Sequence, residues 1–254
     1  MEEKRDLKDY TEKYLQDNFE DIQLQFRRKK VIEQISKYKH NSILEIGCGM
    51  EPLFKYLDGN EYSEYVVVEP SDIFYQNAER QANEKITILN AEFGTNKIDL
   101  SKYHFDFVLC SSLLHEIPND FQFLKSIYAV CQENTVVHIN VPNAKSFHRI
   151  LAKNAGLIRD EHDLTEKNIM YQQSRVYDIE ALKSLAYDCG FIVQDCGGYF
   201  VKPFTHHQMY EMLKNRIIDE RILEGLYNIS NTYEDMCSEI YVNMRISNKT
   251  SEEN

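Results

Sequence analysis

The chain is expected to fold as an α/β protein, a mostly parallel sheet with helices on both faces. Apolar, β-branched runs at 43–46, 65–69, 85–89, 105–110 and 135–141 alternate with helix-periodic stretches, the pattern of repeated strand–helix units. The first run ends at Gly47 and Gly49, one residue apart, and Pro52 opens the next segment as the first residue of a helix. With 254 residues, 43% of them hydrophobic, the chain can bury a large core as one domain with insertions.

Taken in order, residues 5–40 are charged and periodic. Tyr10, Tyr14, Leu15, Phe19, Ile22, Phe26, Val31 and Ile35 suit two amphipathic helices. The first strand and its helix lead into 65–69, whose terminal Glu69 lies 24 residues beyond Glu45. The third strand, 85–89, runs into Asn90, Ala91, Glu92 and Phe93, and the fourth, 105–110, into Ser111, Ser112, Leu113, Leu114, His115 and Glu116. A helix over 121–131 precedes the fifth strand. Residues 143–177 are too long for a plain connection and read as a helical insertion. A helix over 178–188, closed by Gly190, leads to a strand at 191–195. Residues 206–228 read as one long helix in a second insertion, and 239–246 as the last strand. The layout is one domain: N-terminal helices to 40, core at 42–142 and 178–202, cap insertions at 143–177 and 203–236, and the closing strand.

A net charge of −12 and a pI near 5.2 disfavour a nucleic-acid partner, because like charge opposes a phosphate backbone. The start of the chain lacks an apolar leader and no run approaches the ~18–20 apolar residues that span a bilayer, so a soluble, cytoplasmic protein with no membrane partner is expected. Six cysteines without a Cys-x-x-Cys pair are expected as buried, reduced thiols, and no metal is suggested.

At the glycine turn, Gly47 permits a positive φ, and Gly49 lets a ligand approach the backbone. Glu45 and Glu51 flank the place where a dinucleotide would set its pyrophosphate, and two carboxylates there repel a diphosphate and favour a cation. A nicotinamide fingerprint would also need glycine where the chain has Pro52. At Glu45, Gly47 and Gly49 the chain resembles the class I S-adenosylmethionine-dependent methyltransferases, with Glu51 in place of that motif's third glycine. The resemblance implies a Rossmann-like seven-stranded sheet with its last strand antiparallel, and S-adenosylmethionine as cofactor. It implies cofactor contacts at Tyr14, Arg28, Glu45, Gly47, Cys48, Gly49, Glu69, Pro70, Asn90, Ala91, Glu92, Ser111 and Ser112, with Arg27 a further candidate for the methionine end. An acid at the tip of the second strand suits two ribose hydroxyls, since a carboxylate accepts at both oxygens.

His115 matches the family's histidine after the fourth strand, where Glu116 replaces a second one, and a hydroxyl acceptor needs a base. Glu116 and His148 are further candidates, each also readable as an ordinary surface or structural group. The stretches at 142–149 and 197–203 resemble a subgroup of bacterial polysaccharide and sugar-tailoring enzymes. Arg149, Tyr171, Arg175 and Lys202, with His148, His206 and His207, are candidates for an anionic acceptor site. The resulting expectation is O-methylation of a small-molecule substrate, a sugar or a phosphate-containing precursor, capsular or phosphoramidate-type, nucleotide-linked or phosphorylated; N-methylation of an amino sugar or metabolite and a noncatalytic cofactor-binding subunit stay open. Oligomeric state is not set by these motifs.

Overall fold

The computed structural model describes Asp6, Leu7 and residues 19–247. Strands β1 (Ser42–Ile46), β2 (Glu64–Val68), β3 (Ile86–Leu89), β4 (Phe107–Ser111), β5 (Val136–Pro142), β6 (Phe191–Tyr199) and β7 (Glu239–Ile246) form a seven-stranded sheet. Its order is β3-β2-β1-β4-β5-β7-β6. β1 to β5 pair in parallel, and β7 runs antiparallel to both β5 and β6. The sequence-based expectation of a mostly parallel sheet with an antiparallel last strand is met.

The sheet is apolar on both faces because both are covered. Leu44, Ile46, Val66, Val108 and Val137 pack into one core, while their strand neighbours Ile43, Tyr65, Val67, Phe107 and Val136 enter the opposite one, as a period of two requires. The helices are α1 (Glu20–Ile35), α2 (Asp72–Glu79), α3 (Asp120–Val130), α4 (Phe147–Asn154), α5 (Glu166–Met170), α6 (Ile179–Asp188), α7 (His206–Lys214) and α8 (Glu220–Asn228). A third cluster, containing Phe19, Phe26, Phe200, Leu223 and Tyr227, fastens α1 to the second insertion. Gly198 permits this arrangement, since a Cβ there would stand 2.6 Å from Cys237 Cβ and from Glu234 O.

Two expectations are corrected. Pro52 opens only a 3-10 turn over Leu53–Tyr56, because Asp58, Gly59 and Asn60 follow too soon for a full helix. The long helix at 206–228 is two helices: Arg216 has φ 57° just after α7, and Asp219 caps α8 by accepting from Arg221 N and Ile222 N. Of the two N-terminal helices, α1 accounts for one, while most of the other lies outside the described residues. Among the described residues no helix is long and apolar enough to cross a membrane. The cysteines are all unpaired, with Cys131 and Cys196 only partly buried.

Candidate active site

Strand order reverses between β1 and β4, so a crevice opens at their carboxyl ends. A cavity of about 1460 Å³ occupies it, walled by the turn after β1, the ends of β2 and β4, α1, and both insertions. The two sides of that turn meet closely: Gly47 has φ +74° and an added Cβ would lie 3.0 Å from Leu113 Cδ2, beyond β4. Gly49, at φ +60°, has nothing within 4 Å of its Cβ position, so the backbone there is open to a ligand.

Glu69 organises the turn. Its Oε2 accepts from Cys48 N at 3.0 Å and Gly49 N at 3.2 Å, while Oε1 accepts from Ser71 N at 2.8 Å. Burial pushes its carboxyl pKa up, and these three backbone donors oppose the shift. A carboxylate has about four acceptor sites, so capacity remains for a ligand hydroxyl. Gly47, Cys48, Gly49, Glu51, Glu69, Pro70, Glu92, Ser111 and Ser112 all stand in the cavity wall. Ser112 takes φ 54° and its N–H donates to Asn140 O at 2.9 Å, which turns the chain sharply off β4.

Three proposed cofactor contacts sit elsewhere. Glu45 is fully buried beneath the turn, where both oxygens accept from Leu53 N at 3.1 Å and the Tyr65 hydroxyl donates at 2.8 Å. It fixes the 3-10 turn and is absent from the cavity wall. Asn90 is exposed and donates to Asp72 Oδ1 at 2.7 Å, and Ala91 is buried outside the cavity. Phe74 and Phe93 stand in the wall there; aromatic faces suit a flat ring, and only the position of Phe74 just after a strand-end acid signals it in the sequence. Tyr14 lies outside the described residues.

Arg28 reaches the turn from α1. Its Nη2 donates to Cys48 O at 3.2 Å and to Glu51 O, and lies 3.7 Å from Glu45 Oε1. Its Nε and Nη1 are buried without a hydrogen-bond partner, an arrangement suited to a carboxylate. Arg27 is committed instead to Glu239, which accepts from its Nε at 2.9 Å and its Nη2 at 2.6 Å. Glu239 also accepts from Gln23, Asn140 and Tyr199. Burial alone would raise its pKa, but Arg27 and these donors hold the carboxyl down at about 2. This pair, which also lines the cavity, has no local sequence pattern: its members lie 212 residues apart.

His115, Glu116 and His148 all line the cavity. His115 Nε2 lies 3.8 Å from Glu116 Oε1, and both side chains are buried. His148 is held neutral by burial and then by Lys202, Arg149, His206 and Lys167, which together push its pKa well below the usual imidazole range. Arg149, Tyr171 and Lys202 share the wall, although Arg149 spends Nε on Glu161 O at 2.7 Å and Nη2 on Asp163 O. Arg175 does not line it: Nη1 pairs with Asp120 Oδ2 at 2.6 Å, and His207 is likewise outside. Among the described residues no group of three or more His, Cys, Asp or Glu side chains is placed to hold a metal.

The profile of a family described as a methyltransferase domain matches residues 4–195. The plantazolicin methyltransferase BamL, solved with a triazolic desmethylPZN analog and SAH, is similar in fold: 15% identity, TM-score 0.60, covering 91% of this chain and 89% of that one. A putative sarcosine dimethylglycine methyltransferase from Galdieria sulphuraria shows 12% identity and TM-score 0.59, covering 87% of this chain and 85% of its own. The [4+2]-cyclase SpnF, at 14% identity and TM-score 0.54, covers 86% of this chain and 79% of its own, so function rests on the site rather than the fold. A search of curated proteins found no match.

Proposed function

We propose, from the premise that the chain belongs to the methyltransferase-domain family, that it methylates a hydroxyl of a small sugar or phosphate-containing acceptor with S-adenosylmethionine. The observation that carries the cofactor reading is Glu69. It stands at the tip of β2, in the cavity wall, and grips the N–H groups of the glycine turn while keeping acceptor capacity. The residues present fit that cofactor: Glu69 suits the ribose diol, the unpartnered Nε and Nη1 of Arg28 suit the amino-acid carboxylate, and Phe74 and Phe93 suit the adenine faces.

When bound, S-adenosylmethionine supplies an electrophilic methyl group on a sulfonium. The chain's part is to hold the acceptor oxygen in line at ~3–3.5 Å and to exclude water, which accounts for much of the rate. His115, beside Glu116 at the end of β4, takes the hydroxyl proton in this reading, a contribution of ~10²–10⁴-fold. His148 also lines the cavity, but burial and the nearby cations push its pKa well below the imidazole range, which makes it the weaker base of the two.

The test is methyl transfer from labelled S-adenosylmethionine to a panel of sugars and sugar phosphates. Product is expected with at least one acceptor, and His115→Ala should cut turnover ~10²-fold or more while leaving cofactor affinity nearly intact. Cofactor binding with no product from any hydroxyl acceptor would point to a binding subunit or a different acceptor atom.

A further inference from the structure

α1 lends several side chains to the cavity wall, and they serve different ends of it. Arg28 reaches the glycine turn, while Gln23, five residues earlier and so ~7.5 Å back along the helix axis, stands in the wall beside the start of β7. The Gln23 side chain is 2% exposed, and its Nε2 donates to Glu239 Oε1 at 3.0 Å and to Ser238 Oγ at 3.2 Å. Those two bonds settle which way the amide faces. Arg27 keeps Glu239 ionised, and an ionised carboxylate only accepts, so the end of Gln23 turned towards it is the amino end. Gln23 Oε1 is left on the other side, buried and without a hydrogen-bond partner among the described residues.

Ser238 supplies the complement. It too is buried in the cavity wall, its N–H donates to Phe200 O and its carbonyl accepts from Asn143 N, while its Oγ accepts from Gln23. The hydroxyl proton is what Ser238 has left to give. Nearby, Arg27 pairs with both Glu239 and Glu20, so the acceptor on Gln23 and the donor on Ser238 are neutral groups set side by side. An ammonium ion only donates and a carboxylate only accepts; a hydroxyl does both. The methyl-bearing sulfur belongs to the end of the cofactor that suits Arg28, so the Gln23–Ser238 pair, about one and a half helical turns away, borders the space the acceptor fills.

We propose that Gln23 and Ser238 are specificity-determining residues of the acceptor site: Gln23 Oε1 accepts from, and the Ser238 hydroxyl donates to, one uncharged hydroxyl that adjoins the oxygen to be methylated. The acceptor is therefore a polyol-class molecule with at least two hydroxyls, one gripped and one methylated. This deepens the methyltransferase reading and rests on it for the placement of the cofactor. Binding closes a hydrogen bond on an oxygen the empty protein leaves unpaired, and an analogue lacking that hydroxyl leaves it so, the kind of contact that discriminates sharply.

The experiment is calorimetric titration of the SAH-loaded protein with the methyl α-pyranosides of glucose, galactose and mannose, with their monodeoxy analogues, and with inorganic phosphate and acetamide for comparison. At least one hexoside should bind saturably, and one of its deoxy analogues should bind about tenfold or more weakly. Gln23→Met and Ser238→Ala should each weaken the parent hexoside about tenfold and leave that deoxy analogue unchanged, the non-additive pattern of a direct contact. Ser238→Ala leaves the Gln23–Glu239 bond in place, so it carries the test if Gln23→Met does not fold. SAH affinity should stay constant in both variants. No saturable binding of any hexoside, deoxy analogues that all bind as well as their parents, a deoxy penalty undiminished in the variants, or tighter binding of phosphate or acetamide than of every hexoside would each overturn the proposal. Failure of the methyltransferase reading would instead appear as a wild-type protein that does not take up SAH.

Discussion

At the ends of β1 and β2 the cavity wall is mostly backbone, with the N–H groups of Cys48, Gly49 and Ser71 converging on one carboxylate. Across the cavity, the wall contributed by α4, α5 and α7 is made of side chains, several on a loop whose leucines stay exposed. The chemistry of the first wall is set by φ angles and by the amides that Glu69 gathers. The second depends on loop composition and is where acceptor choice can vary without disturbing the cofactor side. Arg27 and Glu239, which also line the cavity, tie α1 to β7.

The largest effect is expected at the tie. Glu239→Ala leaves Arg27 as a buried charge with only Glu20 beside it, a loss of ~3–5 kcal/mol of stability, measured by denaturant unfolding. The pH dependence follows from the direction of the shift. A carboxyl held at about 2 in the fold and near ~4.3 when unfolded contributes stability fully present above the unfolded value. That contribution is lost as pH falls from there towards about 2. The stability gap between wild type and Glu239→Gln should therefore be flat above pH ~5 and shrink below it; a gap independent of pH would remove Glu239 as the anionic partner.

Next comes the backbone wall. Glu69→Ala strips the acceptor from three buried N–H groups and is expected to weaken SAH binding by ~1.5–3 kcal/mol, while the acceptor side keeps its hexoside affinity. Equal loss on both sides would mean that the walls are not independent. Smaller still, Gly47→Ala adds a Cβ 3.0 Å from Leu113 at φ +74°, whereas Gly49→Ala meets nothing within 4 Å. Left-handed strain costs both ~1–2 kcal/mol, so the thermal stability of Gly47→Ala should be the lower of the two. The smallest effect belongs to Arg175→Ala. Its partly exposed pair with Asp120 contributes ~0.2–1 kcal/mol, and turnover should not change.

The difference between the walls also governs what could be read from the sequence. Strand runs, the glycine spacing and an acid at the second strand tip are local patterns, and they located the sheet and the turn. Glu45 was misplaced because a motif fixes position along a strand but not the direction of a side chain, and alternate residues face opposite sides. Asn90 was misplaced because its nearest donor target, Asp72, comes from the preceding helix. The Arg27–Glu239 tie is invisible locally, since it joins residues 212 apart. In the second insertion, Asn215 and Asp219 carried the signal of a break that apolar periodicity obscured.

The central claim is that the Gly47–Glu69 wall is an S-adenosylmethionine site. Calorimetric titration of the native protein with SAH tests it most directly: one molecule per chain, displaced by S-adenosylmethionine and unaffected by NAD, is the expected result. No SAH uptake, or saturable binding of NAD in its place, would contradict it.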